Sequence, residues 1–349
     1  MHPIKSKTTR NNIITLLMVT ALFVTMLLLR GGNVLSYSMR GQLVPICAWI
    51  IMAVSLNLTV GILGELSLGH AGFMSIGAFS GVIAIEYLRP YIANNILLMS
   101  IAVLIGMLFA ALAGFLVGIP ALRLKGDYLA IVTLAFGEII RNVLNCVYVS
   151  MSGSKLMFRM FNAIEDPNAV PIVNGAIGAN ISSKLSSFEF GFVLVILSLL
   201  IIMNLIHSKE GRAIKAIRDN SIAAESVGLN LTAYKMKGFV LSAALAGMAG
   251  VLFATEIRTI TAQKFDFNTS INVLVMVVLG GMGSIRGSVI AAIILTVLPE
   301  KLRFMQDYRM LLYAVILILV MVLNLNEKIP ALFRKLTSRK KELKEVAEQ

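Results

Sequence analysis

The sequence predicts an all-α, polytopic membrane protein of about ten transmembrane helices, a number set by the length of chain that crosses a bilayer. Three observations carry that expectation. Of 349 residues, 58% are hydrophobic and 14% charged, with a mean hydropathy of +0.85. A soluble domain carries about 25% charged residues, so lipid must face most of this chain. The apolar residues also come in long runs, close to the roughly 20 residues that cross a core of about 30 Å. Finally, the net charge of +13 is concentrated beside those runs, at Lys5, Lys7 and Arg10, at Lys209 to Arg218, and from Arg334 to Lys344. Membrane insertion imposes that distribution through the positive-inside bias, and it gives no reason to invoke nucleic acid. Long loops are scarce, so one integral membrane domain is expected over 1–349.

Residues 1–12 form a basic N-terminus on the cytoplasmic side. The run 13–29 is too long for a signal-peptide core, and RGGNVLSYSMR after it lacks an A-x-A cleavage pattern, so it is read as a retained first span. Further spans are expected at 42–61, 72–88, 95–118 and 128–146. A long extracytoplasmic connection, 147–189, carries Gly153, Pro167, Pro171, Gly175 and Gly178 and is expected to be a structured cap. Spans at 190–206 and 237–257 flank a polar block, 207–236. The stretch 270–300 is apolar but broken by glycines, and 310–324 precedes a basic tail, 325–349. Basic termini belong on the same, inner side. The number of crossings is then even, so the broken stretch is either re-entrant or a pair of short spans. Arg123 and Lys125 then fall inside, while Lys301, Arg303 and Arg309 fall outside, against the bias.

The chain offers little for catalysis. It has no G-x-x-x-x-G-K-[ST] to cradle phosphates, no H-E-x-x-H and no G-x-S-x-G. His2, His70 and His207 are far apart. Cys47 and Cys146 lie in apolar contexts and read as small buried hydrophobes. No catalytic set, metal or cofactor is expected. Ionisable residues within or near spans are Glu65, His70, Glu86, Glu138, Arg141 and Glu256. Glu138 and Arg141 stand three apart on one predicted helix and can pair, in either a structural or a functional role.

Two stretches put small residues where a membrane helix wants bulk. GELSLGHAGFMSIGAFSG, Gly64 to Gly81, supplies Ser67, Gly69, His70, Gly72, Ser75 and Gly77. LGGMGSIRGS, Leu279 to Ser288, supplies Gly280, Gly281 and Gly283. Glycine permits both close helix packing and unwinding. Unwound backbone inside a bilayer is tolerated where it is buried or lines a wet cavity, and broken helices often form substrate sites. Both readings, packing and path lining, stand for these residues together with Glu138.

The polar block Gly211 to Lys235 divides in two. Arg212, Lys215 and Arg218 recur every three residues along a first short helix. Asn220 or Ser221 can cap a second, from about Ile222 to Val227, which Gly228 ends. Two turns of helix are unstable alone in water, so this helix must rest on something, either lipid headgroups or a protein groove. Its Ala-Ala-Glu core is small and smooth, which suits a groove. Ile222, Ala223, Val227 and Leu229 supply apolar contact, and Glu225 can reach a basic partner.

In this context IAAESVGLN resembles the coupling loop of ABC-importer permeases. LSLGHAGFMSIGAF, RLKGDYLAIVTLAFGEIIRN and VLGGMGSIRGSVIAAIIL join it in that order. Together they resemble the branched-chain amino-acid ABC transporter permease family, specifically its M-type subunit, over about residues 40 to 325. The resemblance implies an ABC-importer permease fold in a bacterial inner membrane. It implies translocation of leucine, isoleucine and valine, with urea, amides or other amino acids as the alternative. The implied partners are a homologous H-type permease, two cytoplasmic ATPase subunits and an extracytoplasmic substrate-binding protein. It assigns Arg218, Ala223, Ala224, Glu225 and Gly228 to ATPase coupling; Ser226 departs mildly from the family pattern. A secondary transporter driven by ions, or a membrane enzyme using His70, are the competing readings.

Overall fold

A computed structural model describes residues 15–318, except 16, 29, 31–36, 125, 153–154, 162–168, 183–184, 302–313 and 316–317. The chain divides into two compact units, Met1–Ile294 and Leu295–Gln349. The first holds a helical layer and its sheet; the helix Ile285–Lys301 begins in that unit and ends in the second.

A short apolar helix α1 (Leu17–Leu28) precedes α2 (Tyr37–Asn57). The second helix runs straight into a π-helical turn, Leu58–Leu63, which ends at Gly64 with φ +76°. Then come α3 (His70–Leu88), α4 (Asn95–Ala121) and α5 (Asp127–Asn145). After the outer connection, α6 (Phe188–His207), α7 (Lys209–Asp219), α8 (Ser221–Ser226) and α9 (Leu231–Ile257) succeed one another closely. Two shorter helices follow, α10 (Phe267–Gly280) and α11 (Ile285–Lys301).

Five described helices, rather than about ten, are long and apolar enough to cross a membrane: Ser38–Leu63, His70–Leu88, Asn95–Ala121, Phe188–His207 and Leu231–Ile257. The difference has physical causes. The described part of α1 is short. In α5, Asp127, Glu138 and Arg141 interrupt the apolar face. The broken stretch 270–300 is two helices joined by a turn, each shorter than the roughly 20 residues a straight crossing takes. The run 310–324 and Arg303 and Arg309 lie outside the described residues.

The centre of the unit is α2, α3 and α9. The spans of α2 and α9 are 94% and 83% buried within the chain, against 33% for α4 and 39% for α6, so α4 and α6 present broad apolar faces outward. Leu104, Leu108 and Leu112 on α4 are each more than half exposed. Small residues set the spacing. A Cβ on Gly77 would strike the backbone of Gly247, and one on Gly81 or Gly106 would strike the Val251 side chain. Backbones in contact gain dispersion and lose nothing to side-chain ordering. Gly77 is therefore a close-packing position between α3 and α9.

Among its described residues the connection 147–189 is mainly strand, with one short 3-10 turn, Gly175–Ile177, before α6 begins at Phe188. A five-stranded antiparallel sheet forms there in the order β2-β1-β3-β4-β5. Its strands are β1 (Val147–Ser152), β2 (Lys155–Met160), β3 (Val170–Asn174), β4 (Ala179–Asn180) and β5 (Thr259–Ile260). The last comes directly after α9 and pairs with β4 through Ala179–Ile260 and Asn180–Thr259. The sheet thus binds the end of α5, the approach to α6 and the end of α9 on one side of the helical layer. The end of α6, α7, α8 and the start of α9 lie on the opposite side.

Candidate functional site

The polar block forms a rigid foot, closed by side-chain caps at each joint. Ser208 starts α7 by accepting the Gly211 N–H at 3.1 Å. That helix is amphipathic, with Gly211, Ile214 and Ile217 buried against the rest of the chain. Asn220 ends it and starts α8, its Oδ1 accepting the Ala223 N–H at 3.0 Å. The helix begins at Ser221, one residue before the expected Ile222, because Asn220 provides the cap. At its end Gly228 has φ +84°. Its N–H donates to Glu225 O at 2.9 Å, and the Leu229 N–H donates to Ala224 O at 3.1 Å. This pair of bonds is a Schellman closure, which a left-handed residue makes possible. Asn230 then caps α9 by accepting the Ala233 N–H at 3.1 Å. Ion pairs Glu65–Lys235 and Glu210–Lys237 clamp the base of α9.

On this foot Ala224 is buried, while Ala223, Glu225 and Gly228 are exposed. Ile222 and Val227 are 80% and 77% exposed. Two large aliphatic side chains held outward on a two-turn helix are an apolar contact surface that no described residue covers.

Arg218 faces the other way. Its Nη1 donates to Gly61 O at 2.7 Å, and its Nε and Nη2 donate to Asp219 Oδ1 at 3.2 and 3.0 Å. Its stem covers Gly64, where a Cβ would come within 2.6 Å of Arg218 Cγ. The Gly61 carbonyl belongs to the last turn of the π-helical segment, where helices leave acceptors unpaired. Arg218 thus ties the foot to the end of α2.

The glycines of the second break join the same region. Gly281 and Gly283 have φ +86° and +85°, which reverses the chain between α10 and α11. The Gly283 N–H donates to Asn57 Oδ1 at 2.8 Å. A Cβ on Gly61 would fall on the Gly283 backbone, and one on Gly280 would meet Gly287 C at 2.3 Å, so both positions need the bare backbone. Gly280, Gly281 and Gly283 therefore belong to a turn at the foot, beside Gly61 and close to the Gly64 end of the first break.

The first break is a non-helical segment from Gly64 to Gly69, with Glu65, Ser67 and Gly69 buried and Gly64 and Leu66 exposed. The Leu68 N–H donates to Thr133 Oγ1 at 3.1 Å, and Gly69 lies against the Thr133 carbonyl. The Ala71 N–H donates to Ser270 Oγ at 3.2 Å. Gly72 faces Gly137, Ser75 Oγ donates to Gly72 O at 2.6 Å, and His70 Nε2 and Ser55 Oγ are 2.8 Å apart. Ser67 is fully buried and its Oγ has no partner among the described residues. Between α3, α5 and the start of α10 lies a narrow cleft lined by Leu68, Gly72, Glu138, Asp266 and Ser270. Glu138 and Arg141 pair at 2.7 Å as their spacing predicts, each about one-third exposed. Asp266, in the loop before α10, has its carboxyl held below the usual range. Burial pushes it upward, but hydrogen bonds from the Thr269 N–H and the Asn268 amide, with the charge of Arg141, outweigh that.

Sequence reasoning missed Asn57, Gly61, Thr133, Ser270 and Lys235. The first had a readable signal, a carboxamide inside an apolar run. The others depend on which helices meet.

The model of the family described as branched-chain amino acid transport system / permease component matches residues 38–321. The chain is 36% identical over 286 residues to the high-affinity branched-chain amino acid transport system permease protein LivM of Salmonella typhimurium. It is 37% identical over 286 residues to LivM of Escherichia coli. Each alignment covers 78% of this chain and 66% of the relative, so the chain spans just under two thirds of those proteins. A nucleoside ABC transporter permease protein, NupB of Lactococcus lactis, is 27% identical over 257 residues, 69% of each chain. No solved structure matches.

Proposed function

The chain belongs to the branched-chain amino acid transport system / permease component family, and from that premise we propose that it is the membrane-spanning permease subunit of an ATP-driven ABC importer for leucine, isoleucine and valine. The observation that carries the proposal is the foot. A rigid, double-capped helix holds Ile222 and Val227 outward beside Glu225, and no phosphate-binding loop occurs in the sequence. Energy must then arrive through contact. Two ATPase subunits dock at α8 from the cytoplasm, and their closure favours one arrangement of the helices over another, which is all a partner can do to drive a conformational cycle. Arg218 and the two exposed apolar side chains have different tasks: the guanidinium holds the foot to α2, while Ile222, Ala223, Glu225, Val227 and Gly228 meet the ATPase.

The route for substrate runs past the first break, along the cleft that Gly72, Glu138 and Ser270 line and that Ser67 and Gly69 flank in the chain. A homologous H-type permease supplies the facing wall, and an extracytoplasmic binding protein delivers substrate above the five-stranded sheet. The protein is a multi-pass component of a bacterial inner membrane, with both termini cytoplasmic. The test is reconstitution of the complete importer in liposomes. Leucine uptake should require ATP on the foot side, should survive collapse of ion gradients, and should fall to background in Ile222→Asp with membrane insertion intact. Uptake by this subunit alone on an imposed ion gradient would sink the proposal. Competition by urea or nucleosides but not by leucine would replace the substrate and keep the machine.

A further inference from the structure

Buried hydroxyls commonly bond back to their own helix, as Ser198 does to Val195 O and Thr255 to Val251 O. Around the end of α2 they bond between helices instead. Thr59 Oγ1 donates to Ser242 Oγ at 2.8 Å, and Ser242 Oγ donates to Ser55 O at 2.6 Å, so α9 grips α2 at two points about one turn apart. Ser55 Oγ gives its hydrogen to Met52 O at 2.9 Å. A hydroxyl has one hydrogen, so in the 2.8 Å contact between Ser55 Oγ and His70 Nε2 the imidazole is the donor. Ser55, Thr59, His70 and Ser242 are all buried. The bonds form one line, from the π-helical turn through α9 and back through Ser55 to the first residue of α3.

We propose that Ser242 and His70 are positioning residues for transport: they hold Thr59 and Ser55 so that a displacement applied by the foot at Gly61 reaches the first break at the start of α3. The inference rests on the foot being where the ATPase acts. Arg218 Nη1 donates to Gly61 O at 2.7 Å, about two turns beyond Ser55 on the same segment. Polar groups tied together in an apolar interior move together, because a group that loses its partner there finds no water to replace it. Packing alone does not call for such a line. Apolar side chains of the same shape would fill the same space at little cost.

A line of bonds carries motion only if some element along it has two arrangements, and the segment between Ser55 and Gly61 has the means. Its turn Leu58–Leu63 is π-helical, a rare winding that occurs mostly as single turns within α-helices. Rewinding it to α spacing shifts each backbone bond by one residue and turns Gly61 about the helix axis relative to Ser55. Asn57, just before the turn, is fully buried, and its Nδ2 has no partner among the described residues. A buried donor without an acceptor marks a segment whose bonds are not all made in this one arrangement. Thr59 lies inside the turn and Ser55 before it, so the two bonds from α9 straddle the place where the winding changes.

The experiment reads both ends of the line by hydrogen exchange of the full-length chain in lipid nanodiscs. Thr59→Val keeps the side-chain shape and removes one donor, and His70→Leu removes another. Each should speed exchange several-fold in the foot, Lys209–Ser226, where neither substitution is made. Coupling is reciprocal, so Arg218→Ala should speed exchange over Leu68–Met74. Thr59→Ser and His70→Gln keep a donor and should restore the wild-type pattern. Thr255→Val deletes a buried hydroxyl of α9 that bonds to its own helix; it should leave the foot unchanged even where it lowers the melting temperature. In the reconstituted importer Thr59→Val and His70→Leu should each lower leucine moved per ATP by roughly fivefold or more, and adding Arg218→Ala should lower it no further. Unchanged foot exchange in Thr59→Val, an equal effect in Thr255→Val, no recovery in Thr59→Ser, or losses that multiply with Arg218→Ala would each overturn the assignment. Exchange in the isolated chain needs neither ATP nor substrate, so this inference can fail while ATP-driven uptake stands, and uptake on an ion gradient alone would sink the transport reading without altering the exchange result.

Discussion

Removing the Arg218 guanidinium is the sharpest test of how the foot is joined to the helices. Arg218→Ala deletes a 2.7 Å hydrogen bond to Gly61 O and the contact with Asp219. A hydrogen bond from a charged donor contributes about 1.5–3 kcal/mol. The Arg218 side chain is 41% exposed, so water can replace part of it and surface pairing adds little. The net loss is then about 1–2 kcal/mol once that screening is allowed for. Free energy of that size shifts a two-state ratio by roughly 5–30-fold. If the foot drives the helices through this bond, the loss appears as leucine moved per ATP hydrolysed in the reconstituted importer. ATPase activity continues because α8 and its exposed side chains are untouched. Arg218→Lys keeps the charge and one donor and should fall between. Wild-type transport per ATP in Arg218→Ala, with wild-type thermal stability, would refute both the energetic estimate and the idea that this bond carries motion.

Other contacts lead to three further outcomes. Gly228→Asp should lose the Schellman closure, at about 1–2 kcal/mol for a side chain in the left-handed region, and abolish uptake with insertion intact; cross-linking to the ATPase through Val227→Cys reads the displaced foot. Asn57→Leu leaves the Gly283 N–H without its acceptor and should cost about 1–3 kcal/mol, read as a lower melting temperature in detergent. Gly77→Val drives a branched side chain into the Gly247 backbone and should destabilise by at least the ~1–3 kcal/mol of ordinary overpacking, whereas Gly41→Ala, with open space around it in α2, should be neutral or gain up to about 1 kcal/mol.

What the sequence made legible was local chemistry. Asn220 and Gly228 announced the boundaries of α8 because a carboxamide cap and a left-handed glycine have few other uses at that spacing. Glu138 and Arg141 announced their ion pair because three residues bring side chains to one helix face. Among the described residues the crossing count is met by five helices, and it parts from the expectation where apolarity and length part company, in α5 with its charges and in α10 and α11 with their short runs. The β-sheet was hidden for another reason. Its fifth strand, Thr259–Ile260, is two residues long and lies far along the chain from the other four, so the information that makes it a strand resides in its partner. The π-helical turn left no trace either, since shifting a hydrogen bond by one residue changes no side chain.

The two glycine stretches show how a single composition signal divides once neighbours are known. Gly77, Gly81 and Gly106 lack side chains so that α3, α4 and α9 can touch. Gly61, Gly280 and Gly283 lack them so that a tight turn can reach the end of α2. These are different constraints with different consequences. A substitution at Gly77 loosens the core and lowers stability whatever the protein transports. A substitution at Gly61 separates Asn57 and Gly283, and with them the one place where the foot, through Arg218, and the α10–α11 turn bear on the same short segment. Gly61 and Gly77 should therefore be separable by measurement. Gly61→Ala should lower transport per ATP in the reconstituted importer by more than its melting temperature accounts for, while Gly77→Ala should lower both in proportion. If the two variants track one another, the turn is packing like the rest, and the segment Leu58–Leu63 has no special part in moving the helices.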